Sequence, residues 1–385
     1  MFNGLVLGGY IVKISKKDAL LWFEFFSYLP EEEELSSSQE EIVYATFAQI
    51  EAAIDSRNDK LMSEIKNLKT LEQRTIFVGN EDKFPKGCRS CLIGTGLSAI
   101  RKSNKCNLEC KFCYNYGQLD DSAPIGEGMW EIGGTKFYEK DIDLLLSIHE
   151  KPTGIAYVYL EPFVEIEKYY SVIKKFSDLG IYQHLYTNGT LSTEENLKAL
   201  GEAGLSEIRF NLGASECSDE VIENIRIAKK YIANVGIETP MTPEFFDTFF
   251  EKKDKILETG LDFINCAELH LNENNIYNYS EDNMYISRHG YISPIWSREL
   301  TLKFMKIADD ENWDLVIHDC SNDTKFARGL NLNSKTGMWF GASNYACEFS
   351  RIPYDVFLPI LRDENFKFLS EEDLPDGYKL ETVIY

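Results

Sequence analysis

From Gly96 onward the chain alternates short apolar, β-branched runs with stretches whose apolar positions recur at helical spacing. That order is expected of a parallel sheet whose strands are joined by right-handed helical crossovers. The runs predict strands at 97–102, 155–160, 182–187, 207–212, 234–239 and 263–271, with a seventh at 313–318. Between the third and fourth, Ser192 and Glu195 have the spacing of a capping box at a helix start, and Gly201 or Gly204 marks the helix end. The class this implies is α/β.

Two of these strands carry polar residues in alternation. Glu207, Arg209 and Asn211 share one face of the fourth, and Cys266, Glu268, His270 and Asn272 share one face of the sixth. A polar face on a buried strand means either a wet lumen that meets a substrate or a satisfied internal hydrogen-bond network, and the pattern alone fits both. Ahead of the strands, residues 1–87 form an α/β extension. Its Glu- and Ser-rich patch at 31–38 reads as a loop, after which Ile42, Val43, Phe47, Ile50 and Ile54 recur at helical intervals. A structural role and a substrate-recognition role fit the extension equally.

Charge narrows the partners. Against 40 Lys and Arg stand 63 Asp and Glu, a net charge of −23. Such a field disfavours bulk nucleic acid and anionic membranes, although solubility alone accounts for it. No apolar run is long enough to span a bilayer, and the opening MFNGLVLGGYIVKISKKD puts no basic leader ahead of its short apolar stretch. The expectation is a cytoplasmic protein without a membrane partner.

The nine cysteines are an odd number and fall in clusters, which favours thiolate ligation over a disulfide framework. Cys106, Cys110 and Cys113 lie in the run CNLECKFCY. Structural zinc sites and electron-transfer iron–sulfur clusters are usually closed by four ligands, so a compact trio implies an open coordination position. A zinc site or chance clustering is the plainer alternative.

This run resembles the signature of the radical S-adenosylmethionine (SAM) superfamily, C-x3-C-x-aromatic-C, with Phe112 as the aromatic, and is similar to proteins related to pyruvate formate-lyase activating enzyme. The resemblance covers about residues 88–325. It implies a partial (β/α)6 barrel at 88–312 with an upstream C-x2-C, followed by a C-terminal segment at 313–385. It also implies a [4Fe-4S] cluster on Cys106, Cys110 and Cys113, and SAM chelating the vacant iron through its amino and carboxylate groups. One electron then breaks the sulfonium bond to C5′, and a 5′-deoxyadenosyl radical removes hydrogen from a substrate.

The same resemblance carries individual residues. Glu161, before Pro162, stands where the family's Gly-Gly-Glu-Pro motif holds the SAM amino group, with Tyr159 and Leu160 replacing the glycines. Thr187 and Asn188 of a Thr-Asn-Gly turn match the end of the third strand, Asn211 matches a polar contact to ribose or carboxylate, and Glu238 stands near adenine in place of a small residue. Upstream, Cys88 and Cys91 form a C-x2-C, and with the late Cys320 and Cys347 they make a four-ligand set for zinc or a second iron–sulfur cluster. Implied partners are a small-molecule or peptide substrate and an electron donor such as flavodoxin or ferredoxin, under anaerobic conditions. Two alternatives stand beside this reading: a non-catalytic iron–sulfur or zinc protein on the same barrel, and a protein- or peptide-modifying activase.

Overall fold

A computed structural model describes residues 58–322 apart from 72–74, 93–96, 118–124, 127, 133–134, 144–153, 159, 280–283 and 287–291. The expected helix after Ser38, Tyr159 and Cys347 lie outside the described residues.

One sheet organises the chain. Its strands are β1 (Lys69–Leu71), β2 (Thr75–Val78), β3 (Leu97–Arg101), β4 (Met129–Ile132), β5 (Thr135–Tyr138), β6 (Gly154–Tyr157), β7 (Tyr182–Thr187), β8 (Glu207–Phe210), β9 (Asn234–Pro240), β10 (Phe263–Ala267) and β13 (Val316–Cys320). They run in the order β1-β2-β13-β10-β9-β8-β7-β6-β3-β4-β5, and a separate hairpin pairs β11 (Met284–Ile286) with β12 (Ile292–Pro294). From β3 through β6, β7, β8, β9 and β10 to β13 every pairing is parallel. These are the six expected barrel strands and the expected seventh. Antiparallel β4 and β5 extend one edge, and β1 and β2 extend the other. The result is a parallel-rich partial barrel.

The outer face is apolar because parallel strands are covered by their own crossover helices. Ile155, Leu185, Ile208, Val235, Ile237, Ile264, Cys266 and Ile317 pack there against Val172, Ile173, Leu197, Leu200, Val221, Ile225, Phe249 and Phe304 from the helices. Each such side chain contributes about 1.5–3 kcal/mol on leaving water. Among the described residues no helix is long and apolar enough to cross a membrane.

Three local readings change. The helix Glu194–Ala203 is capped by Thr193, not Ser192: Thr193 is extended and its hydroxyl accepts from Asn196 N–H, while Gly204 ends the helix at φ 93. The second strand stops at Tyr157 and the sixth at Ala267. Cys266 therefore faces the outer core and Asn265 the inner side, while Glu268, His270 and Asn272 lie in the connection beyond the strand.

The inner face is polar, as expected for Glu207 and Arg209. Arg209 is 2 % exposed. Its guanidinium pairs with Glu207 at 2.5 Å and Glu238 at 2.5 Å, and donates to the Tyr186 hydroxyl at 3.0 Å. Tyr182 donates to the other oxygen of Glu207 at 2.6 Å. The short helix Lys86–Leu92 packs against this network. A Cβ on Gly87 would lie 2.7 Å from Arg209 Nη2 and 2.7 Å from His184 Nδ1, so only glycine lets the helix approach so closely.

Candidate metal centre and active site

Cys106, Cys110 and Cys113 occupy the loop that leaves β3 at its carboxyl end, where parallel sheets gather reactive groups. The loop turns tightly, with Cys113 N–H donating to the Cys110 carbonyl at 2.9 Å and Tyr116 N–H to the Cys113 carbonyl at 3.1 Å. Leu108 N–H donates to the Cys106 sulfur at 3.4 Å, the type of contact that tunes a metal-bound thiolate. All three thiols are half-buried, and burial raises their pKa values, that of Cys110 to about 12. The charges of Cys106 and Cys113 add to the shift at Cys110, and Glu161 acts on both Cys106 and Cys110. Three sulfurs and one carboxylate thus share a single patch.

That donor set fits an iron–sulfur cluster. Among the described residues no group of three or more His, Cys, Asp or Glu side chains is gathered tightly enough for a single metal ion. In a cluster each sulfur ligand binds a different iron, so the ligands sit further apart than around one ion. Loading would take the thiols as thiolates and release their protons.

Glu161, in the connection beyond β6, is 2 % exposed, and its N–H donates to the Lys105 carbonyl of the cysteine loop at 3.0 Å. Leu160 before it takes φ 55, the left-handed region that a glycine enters without cost and a leucine at roughly 1–2 kcal/mol. Leu160 thus takes a conformation that favours glycine at the position where the resemblance puts one. One carboxylate oxygen accepts from Phe163 N–H at 3.0 Å and Thr187 Oγ1 at 2.8 Å, the other from Asn188 N–H at 2.6 Å. Burial outweighs these donors and raises the carboxyl to about 7.

The Thr-Asn-Gly turn joins the same patch. Asn188 donates to Asn107 at 2.8 Å, and Asn107 donates to Thr190 at 2.8 Å, so the turn grips the cysteine loop. Gly189 sits at φ 79, and a Cβ there would stand 2.6 Å from Val221, which explains the residue without a ligand. Asn211 N–H donates to the Thr187 carbonyl at 2.7 Å, which ties Asn211 to this cluster, whereas Glu238 lies apart from it. Asn211 caps the turn after β8 by accepting from Ala214 N–H at 3.2 Å, and Glu238 is held by Arg209 on the inner face. Phe112 is half-buried in the loop, its carbonyl accepting from Asn275.

A second grip was not foreseen from the sequence. After β10, Asn272 and Asn274 donate to the Tyr114 carbonyl at 2.8 and 3.2 Å, Asn275 to the Phe112 carbonyl at 3.2 Å, and Asn278 to the Lys111 carbonyl at 2.9 Å. The His270 ring lies 5.2 Å from that of Tyr114. An asparagine-rich run between elements reads as a turn, and only the fold shows that its amides face the cysteine loop. Asn275 is fully buried and also braces the His270 carbonyl and Asn272 N–H. Asn275→Ala should lower stability by about 2–3 kcal/mol through the buried groups it orphans, measured as a shift in the urea unfolding midpoint.

Of the second cysteine set, Cys88 is buried on the inner face beside Arg209, Glu238 and Glu207, and the charge of Cys320 reaches it. Burial raises its pKa well above the ordinary thiol range. Cys91 and Cys320 are half-buried. His318, two residues before Cys320, is 1 % exposed, among the described residues neither ring nitrogen is hydrogen-bonded, and burial lowers its pKa to about 3, keeping it neutral.

Residues 100–252 match the family model of the radical SAM superfamily. The chain is 28% identical over 271 residues to a candidate glycyl-radical enzyme activating enzyme of Methanocaldococcus jannaschii, covering 64% of this chain and 66% of that one. It is 27% identical over 209 residues to a cysteine-type anaerobic sulfatase-maturating enzyme of Clostridium perfringens, covering 46% and 53%. The chain thus spans less than two thirds of the length of these relatives. Among solved structures, SuiB of Streptococcus suis bound to S-adenosylmethionine aligns over 75% of this chain and 67% of that one, at 13% identity and a TM-score of 0.42.

Proposed function

We propose, from the radical SAM domain at residues 100–252, that this chain is an enzyme holding a [4Fe-4S] cluster on Cys106, Cys110 and Cys113 and acting on a peptide or protein. The observation that carries the reading is the patch of three sulfurs beside Glu161 at the carboxyl ends of β3, β6 and β7. When bound, the cluster and SAM supply a one-electron cleavage that releases methionine and a 5′-deoxyadenosyl radical able to take hydrogen from a substrate. Glu161 holds the SAM ammonium, and Thr187 and Asn188 fix the direction of its carboxylate. Asn211, whose Oδ1 is used as a cap, contributes a polar contact to the SAM ribose or carboxylate. Phe112 stands in the cofactor's loop, Glu238 faces the lumen from its pair with Arg209, and Asn107 with the asparagines after β10 keeps the loop rigid.

A macromolecular substrate is favoured because two relatives are named for activating or maturing another enzyme. A cytoplasmic setting with a flavodoxin- or ferredoxin-type donor completes the proposal. Anaerobically reconstituted protein given SAM and dithionite should form 5′-deoxyadenosine. A protein that binds iron and sulfide yet leaves SAM intact would instead be a non-catalytic member of the same fold.

A second metal centre on Cys88, Cys91, Cys320 and Cys347 belongs to this reading, supported by the packing of Cys88 in one cluster with Val316 of β13, the strand that ends at Cys320. Four thiolates suit zinc or an iron–sulfur cluster. Protein lacking Cys106, Cys110 and Cys113 should still carry metal, and adding Cys88→Ala and Cys91→Ala should remove it. Elemental analysis that finds no metal before the second pair of changes excludes the centre.

A further inference from the structure

Beside the cysteine loop lies a cavity of about 200 Å³ lined by Pro243, Glu244, Asn278, Tyr279, Met284, Pro294 and Trp296. Its elements converge from three directions: the start of the helix Pro243–Glu251 after β9, the asparagine-rich connection after β10, and the β11–β12 hairpin leading into the helix Ile295–Asp310. Asn278 is shared with the metal centre, since its amide holds the Lys111 carbonyl. The Tyr279 hydroxyl lies within range of the charges of both Glu244 and Cys110. The cavity therefore opens next to the reacting centre.

Its chemistry is specific. Tyr279 and Trp296 stand with ring centroids 6.0 Å apart at 46°, and Met284, Pro243 and Pro294 complete a lining whose accessible surface is mostly polar. Aromatic faces attract cations within about 6 Å, and methionine adapts to a flexible apolar stem. Glu244 is exposed in the first helical turn, and among the described residues its carboxylate has no hydrogen bond or ion pair. The volume is below the ~300–1,000 Å³ usual for drug-sized ligands and suits one side chain better than a nucleoside. The net charge of −23 adds a general attraction for cations.

We propose that this cavity is a substrate subsite for an ammonium group on an aliphatic stem, with Tyr279 and Trp296 facing the cation and Glu244 as its counter-charge. Two sources supply that chemistry, a lysine side chain in a peptide and a free alkylamine. The proposal rests on the cysteine loop holding the reacting centre, and it names the part of the substrate that anchors beside that centre.

Calorimetry on the cluster-loaded full chain separates the outcomes without turnover. Nα-acetyl-lysine amide should bind at least about fivefold more tightly than its neutral counterpart Nα-acetyl-norleucine amide, the scale of one exposed charge contact with a cation–π contribution. Glu244→Gln should narrow the gap between the lysine and norleucine amides, and Trp296→Leu should weaken the lysine amide independently. n-Butylammonium distinguishes the sources: tighter binding of the lysine amide supports a peptide side chain, and tighter binding of n-butylammonium supports a free amine. Equal affinities for the charged and neutral amides, or a Glu244→Gln variant that binds the lysine amide like the parent, overturn the subsite. Absence of 5′-deoxyadenosine from the parent protein overturns the radical reading instead, and leaves these binding measurements standing.

Discussion

Replacing Cys106, Cys110 and Cys113 together by alanine is expected to eliminate the visible absorbance of the reconstituted cluster and reduce SAM cleavage to that of a protein-free control. No other described side chains stand in their place, because the patch they form is bounded by Glu161 and by the amides of Asn107 and Asn188. The fold should survive. The loop is held through its backbone, by Asn272, Asn274, Asn275 and Asn278 on the carbonyls of Lys111, Phe112 and Tyr114, and by Glu161 N–H on that of Lys105. Thiol-to-methyl changes at half-buried positions leave those bonds intact, so the unfolding free energy should move by less than about 1 kcal/mol. Loss of the cluster with unchanged urea unfolding is the expected pair of results. A triple variant that still forms the cluster and cleaves SAM would place the centre elsewhere, and Cys88 and Cys320 would be the next ligands to test.

What the sequence disclosed and what it hid divide along a physical line. Strand positions were legible because β-branched apolar runs recur between helical patterns, and every strand expected from 97 to 318 pairs in parallel in the fold. The cysteine trio was legible because its ligands lie within one loop. Boundaries were less so: β10 ends at Ala267 although apolar–polar alternation continues to Asn272, since alternation persists in extended chain that has left the ladder. Residues that meet only through folding were hidden. The four asparagines after β10 lie more than 150 positions from the carbonyls they hold, and an asparagine in a connection carries no mark of its partner. Glu238 is the reverse case, a position assigned by resemblance whose carboxylate pairs with Arg209 beside Glu207 on the inner face, a partner the sequence does not mark.

Glu161 should give the second large effect, and its burial makes the effect depend on pH. In the folded, metal-free chain its carboxyl is raised from the usual 4.5 to about 7, first by burial, against the three donors that favour the charged form. The sign follows from proton binding. Below about pH 4.5 both folded and unfolded states hold the proton, and the neutral group contributes its full stability. As pH rises toward 7 the unfolded chain releases the proton first, so stability falls across that window by up to about 3 kcal/mol, from 1.36 kcal/mol per pKa unit. Glu161→Gln cannot titrate. Its unfolding free energy, measured in urea at pH 5 and pH 7.5 on metal-free protein, should lack that part of the decline. In SAM binding the direction reverses, because an ammonium seated against the carboxylate favours its charged form. Parent protein should bind SAM more tightly as the group ionises, and Glu161→Gln should weaken binding by about 10- to 150-fold, the 1.5–3 kcal/mol of a hydrogen bond to a charged group. The amide oxygen replaces only one of the two carboxylate oxygens, so it keeps either the Phe163 and Thr187 donors or Asn188 N–H, and the turn stays braced in part while the charge is gone. If Glu161→Gln loses the pH dependence of stability yet binds SAM like the parent, Glu161 is a brace for the Thr187–Asn188 turn, and another group holds the SAM ammonium.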